Sequence, residues 1–96
     1  MSEPQILLLI PMEVVNDKRL NRAQVILYSL INSGNHGHDD GRYCNFTNSH
    51  FSRFMEISKS SIPRHLKVLE NCGLIERQVI RDEKTNEVIE RRIYLL

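Results

Sequence analysis

The sequence predicts an α+β domain, and three observations carry the prediction. Apolar residues recur at helical spacing in three separate stretches: Ala23, Leu27, Leu30 and Ile31; Phe51, Phe54 and Met55; and Ile62, Leu66 and Leu69. Between the last two stretches, Glu56-Ile57-Ser58 reads as a tight turn that leaves no room for a long loop. From Leu74 onward, two extended charged runs flank Asp82-Glu83-Lys84-Thr85-Asn86, as in an antiparallel hairpin. Three principal helices, a small antiparallel sheet and a C-terminal hairpin follow, in a single domain spanning residues 1–96.

Taken in order, Met1 to Pro4 is a loose start, and Ile6 to Ile10 is a continuous apolar run of strand length ended by Pro11. Met12 to Val15 fits one helical turn, and Asp17-Lys18-Arg19 is exposed. Asn21 and Gln24 have the spacing of a capping box that opens the first principal helix, which runs to about Asn32. Its inward face is Ala23, Leu27, Leu30 and Ile31, with Val25 and Tyr28 on the flanks. Ser33 to Arg42 has three glycines and no apolar residue, which predicts a surface loop. Tyr43 to Phe46 reads as a short strand.

Thr47 or Asn48 can cap the second helix, whose apolar face is Phe51, Phe54 and Met55. Ile57 plugs the angle at the turn, and Glu56 occupies a position where φ > 0 is expected at some cost to a non-glycine residue. Pro63 would delete a helical hydrogen bond if Ser58 were the cap, but none if Ser61 were. An irregular turn over Lys59 to Ser61 and a regular helix from about Ile62 are therefore predicted. Cys72-Gly73 ends this helix, because glycine accepts the left-handed conformation at little steric cost. One strand then runs to about Arg81 and another returns from Val88.

Residues 47–76 resemble the winged helix-turn-helix of bacterial DNA-binding proteins, with Phe51, Met55, Ile57, Ile62, Leu66, Leu69, Leu74 and Ile75 at the apolar positions. The upstream stretches IPMEVVNDKRLNRAQVILYSLINS and GRYCNFTNSHF are similar to the N-terminal domains of plasmid and phage replication initiators (replisome organisers) of Gram-positive bacteria. The resemblance covers roughly residues 5–81 and implies double-stranded DNA binding at a replication origin, with replication proteins as further partners. KVLENCGLIER also looks like small metal- and ligand-sensing repressors, so a transcriptional repressor is the alternative. A third reading is a winged helix that recruits proteins without reading DNA.

With Ile62, Leu66 and Leu69 inward, the third helix turns Lys59, Ser60, Ser61, Arg64, Lys67 and His65 outward. Arginine can bond guanine O6 and N7 as a pair, lysine acts as a point charge, and serine serves bases or phosphates. Pro63 offers an apolar contact to a thymine methyl. Thr47, Asn48 and Ser49 open the second helix and can present backbone N–H groups to phosphate. On the hairpin, Arg77, Arg81, Lys84 and Arg92 either reach DNA or form cross-strand ion pairs with the acidic residues around them.

The bulk properties narrow the alternatives. Ninety-six residues support one modest core. A net charge of +1 means that any electropositive surface must come from charge placement, not from overall basicity. No stretch has the length of a membrane span or the form of a signal peptide, so a cytoplasmic protein with Cys44 and Cys72 as thiols is expected. His36, His38, Asp39, Asp40 and Cys44 match no closed zinc spacing, so no metal or other cofactor is expected. No phosphate-cradling glycine loop or nucleophile elbow occurs, and a non-enzyme is expected. The apolar ends Ile6 to Ile10 and Ile93 to Leu96 together predict a homodimer, unless Leu96 is the truncated end of a longer protein.

Overall fold

The computed structural model describes residues 11–96. The run Ile6 to Ile10 lies outside them. The order of elements is α1 (Met12–Val15), α2 (Arg22–Ser33), β1 (His36–His38), β2 (Gly41–Tyr43), α3 (Asn48–Met55), a 3₁₀ turn (Lys59–Ser61), α4 (Ile62–Asn71), β3 (Ile75–Arg81) and β4 (Val88–Leu95). This is the α+β arrangement expected, with α2, α3 and α4 as the principal helices and β3–β4 as the C-terminal wing.

Local chemistry explains the boundaries. Asn21 and Gln24 form the reciprocal capping box: Gln24 N–H donates to Asn21 Oδ1, and Asn21 N–H donates to Gln24 Oε1, both at 2.9 Å. Thr47 caps α3 by accepting from His50 N–H at 3.1 Å. Glu56 ends α3 in the left-handed region at φ 56, ψ 39. Pro63 falls in the first turn of α4 after the 3₁₀ turn, where its missing N–H removes no helical bond. Gly73, at φ 75, lets the chain leave α4 for β3.

Leu27 and Ile31 of α2, Phe51 of α3, Ile62, Leu66 and Leu69 of α4, and Ile75 and Ile93 of the wing bury their side chains in one core. Cys44 belongs to it, and burial pushes its thiol up from the ordinary range. Met55, Ile57, Leu74 and Leu95 pack against its margin. β3 and β4 pair antiparallel from Ile75↔Leu95 to Ile80↔Glu90, with an irregularity at Ile80/Arg81. Cys44 joins their edge, its N–H donating to Ile93 C=O at 2.9 Å and its C=O accepting at 2.8 Å.

Four expectations require correction. The stretch Ser33 to Arg42 is not all loop: β1 and β2 form a hairpin in register His36↔Tyr43, anchored by Tyr43, which stacks on His38 with ring centroids 3.9 Å apart. The strand expected over Tyr43 to Phe46 therefore starts earlier, and beyond Tyr43 only the Cys44 bridge persists. Phe54 points away from the core and is 42% exposed, because the short α3 gives Phe51 and Met55 the inward positions. The apolar C-terminus does not present one exposed surface: Ile93 is core and Leu95 packs on it, while Leu96 alone is exposed.

Candidate nucleic-acid interface

α4 presents its polar face outward because Ile62, Leu66 and Leu69 consume the inward one. Pro63, Arg64 and Lys67 are exposed on that face. Arg64 has no ion pair or hydrogen bond among the described residues, and Lys67 Nζ lies 3.7 Å from Glu70 Oε1. Glu70 is already held by Arg77, whose Nε and Nη2 both donate to it at 3.0 Å. That fork holds the Glu70 carboxyl below the usual carboxylate range.

Beside α4, the 3₁₀ turn, the start of α3 and the wing enclose an open cleft of about 870 Å³. Thr47, Asn48, Ser49, Lys59 and Arg91 line its polar side, and Val79, Val88 and Ile89 its apolar side. The first-turn N–H groups of α3 lie outside the helix's own bonding pattern, so the positive end of its dipole opens into this cleft. The Thr47 hydroxyl is committed to its cap, and Asn48 Oδ1 accepts from Arg91. Ser61 Oγ donates to Ser58 C=O at 2.7 Å, and Ser60 Oγ to Ser58 Oγ at 3.4 Å, so both hydroxyls shape the 3₁₀ turn.

The wing cations divide by partner. Arg77 is tied to α4 through Glu70. Arg92 donates to Glu90 and Asp40, each at 2.6 Å, and lies 4.5 Å from the Tyr43 ring centroid. These contacts raise its pKa further and lower those of both carboxyls, and they strap the β1–β2 hairpin to the wing. Arg81 donates to Asn86 C=O at 3.0 Å across the wing turn. Lys84 sits at the tip, where its backbone N–H, not its amine, donates to Asp82 Oδ1. Lys59, Arg64, Arg81 and Lys84 are thus the expected cations with no carboxylate partner among the described residues, Arg81 donating only to a backbone carbonyl.

Two residues occupy positions that differ from the sequence reading. His65 is not outward: it is 8% exposed, with Gln24 Nε2 donating to its Nδ1 at 3.3 Å. Arg91 was not among the expected contacts, yet it reaches into the cleft under the start of α3. Its Nη2 donates to Phe46 C=O at 2.6 Å and its guanidinium lies 5.8 Å from the Phe51 centroid. Its Nε is buried without a partner among the described residues, and burial lowers its pKa. Strand parity signals this placement, since Ile93 is inward and side chains two apart on a strand share a face. Among the described residues no cluster of His, Cys, Asp and Glu could hold a metal ion, and no helix is long and apolar enough to cross a membrane.

Comparison with solved structures finds similar folds, among them two that cover most of this chain. One is described as "N-Terminal domain of DNA binding protein", with TM-score 0.62 and 21% identity over 96% of this chain and 75% of that one. The other, "Structure of Rep-DNA complex", has TM-score 0.61 at the same identity and coverage. No curated protein matches the chain. A comparison with protein families matches residues 18–75, from the approach to α2 through α4 to the first residue of β3, to the helix-turn-helix domain. Since that match takes in more than half of the sequence and both helices of the motif, the chain belongs to the helix-turn-helix domain family.

Proposed function

We propose that the domain binds double-stranded DNA sequence-specifically, as the DNA-recognition part of a plasmid or phage replication initiator. The observation that carries this reading is the pairing of an outward α4 face bearing Pro63, uncommitted Arg64 and Lys67 with a cleft that gathers Lys59, Arg91 and the start of α3. A helix seated in the major groove through Arg64 brings its flanking turn and the α3 N-terminus toward the phosphates. The likeness to a structure described as a Rep–DNA complex supports the replication assignment. No catalytic step enters this function.

The test is a titration against duplexes selected from a random pool, repeated over a range of salt. Binding should weaken linearly in log salt, and Lys59→Ala or Lys84→Ala should each flatten the slope by about 1 if one phosphate contact is lost. No selected duplex and no salt-dependent binding would refute it. A second reading is favoured by Val79, Val88 and Ile89, which are 46%, 56% and 64% exposed on the wing. Apolar side chains gathered in one cleft suit a protein partner, such as a second copy in a homodimer or a replication protein.

A further inference from the structure

The Gln24–His65 contact links the capping box of α2 to the middle of α4. Both side chains are buried, at 7% and 8% exposure. Gln24 Oε1 is committed to the Asn21 backbone N–H at 2.9 Å, so its amide NH₂ must face His65. A donor there requires an acceptor, which fixes His65 as the neutral tautomer with its proton on Nε2. Protonating Nδ1 would set two donors against each other. Turning the Gln24 amide to relieve that clash would face NH₂ toward Asn21 N–H and break the cap of α2.

We propose that His65 is a positioning residue whose neutral form holds α4 in its DNA-reading orientation, so that protonation of His65 weakens DNA recognition. The proposal rests on the DNA-binding reading above. His65 immediately follows Arg64, and α2 and α4 pack directly on one another, so displacement at this contact moves the reading face. The elements packed on α4 carry Arg22 and Tyr28 (α2), His50 and Arg53 (α3), Lys59 (3₁₀ turn), and Glu76, Arg77 and Arg81 (β3). α4 itself adds Arg64, Lys67 and Glu70. Burial, then the Arg64 charge, lower the His65 pKa, and among the described residues no carboxylate opposes them. The folded state therefore favours neutral His65, and this contribution to stability is lost as pH falls below the ordinary histidine value of about 6.5.

Gln24→Glu separates this device from mere packing. Glutamate preserves the capping box through one oxygen and presents the other to His65, where it favours the protonated ring. The experiment follows the imidazole nitrogens and the α4 amides by NMR from pH 7.5 to 5.0 without DNA, then measures affinity for a selected duplex at both ends of that range. In the wild type, His65 should be the Nε2–H tautomer, titrate below about 6.5, and move the Arg64 and Lys67 amides as it does so. In Gln24→Glu it should titrate above that value. On acidification the wild type should lose about five-fold more affinity than His65→Gln, the factor one net hydrogen bond represents. An Nδ1–H tautomer, an unlowered titration, or equal pH ratios in wild type and His65→Gln would overturn the proposal. Failure of every variant to bind any duplex would refute the DNA-binding reading, while the DNA-free spectra would still decide whether protonation moves α4.

Discussion

Replacing Gly34 with alanine should destabilise the domain although the backbone there accepts any residue. Gly34 sits at φ −90, ψ 4, so no left-handed strain arises. The obstacle is Phe46: a Cβ on Gly34 would lie 2.4, 2.5 and 2.9 Å from its Cε2, Cζ and Cδ2. Carbon atoms rest at roughly 3.5–4.0 Å, so the ring must retreat by about 1 Å. It is flanked by His50 at 4.1 Å and Phe51 at 5.9 Å between centroids, and its carbonyl is held by Arg91. Such overpacking costs about 1–3 kcal/mol, against which alanine's restriction of the unfolded chain returns about 0.4–1 kcal/mol. A net loss of about 1–2 kcal/mol is expected, lowering the thermal midpoint by roughly 4–8 °C per kcal/mol in a domain of this size. Urea and thermal unfolding measure it, and Phe46→Leu in the same chain should recover part of the loss. A rise in midpoint for Gly34→Ala would show that the Phe46 ring is not clamped and refute the reasoning.

Glu56→Gly should stabilise by about 0.5–1 kcal/mol, because a left-handed conformation strains a residue with a Cβ more than glycine's added unfolded freedom costs; a lower urea midpoint would contradict this. The Glu70–Arg77 fork should give pH-dependent stability. Since Glu70 is held below its ordinary value, the contribution is present at neutral pH and lost as pH falls through the lowered folded value. The gap in thermal midpoint between wild type and Arg77→Ala should therefore close as the pH falls below the ordinary glutamate value of about 4.5, and a constant gap would assign Arg77 no role in Glu70 ionisation.

The elements legible in the sequence are those whose causes are local. The Asn21–Gln24 box, Pro63 in a first turn, left-handed Glu56 and Gly73 at a helix end each follow from residues a few positions apart. What escaped depends on distant partners. β1 and β2 are short, polar and mostly exposed, so no alternation marks them; the Tyr43 stack on His38 and the clasp of Arg92, 52 positions beyond Asp40, hold them in place. His65 looks outward by composition, and only Gln24, 41 positions upstream, accounts for its burial. Arg91 and Arg92 are adjacent and chemically identical, yet strand parity sends one to the α3 cleft and the other to carboxylates on the opposite face.

The assignment of α4 as the reading element stands or falls on Arg64→Ala, titrated beside wild type and Lys67→Ala against a selected duplex and its scrambled counterpart at fixed salt. Loss of a planar fork to guanine should cost about 1–3 kcal/mol on the selected duplex and much less on the scrambled one, narrowing the specificity ratio. Lys67→Ala should weaken both more evenly, as loss of a phosphate contact does. Neither change should move the thermal midpoint appreciably, since both side chains are on the surface. Unchanged affinity of Arg64→Ala for both duplexes would contradict the assignment and leave the wing's apolar cleft, not α4, as the domain's contact surface.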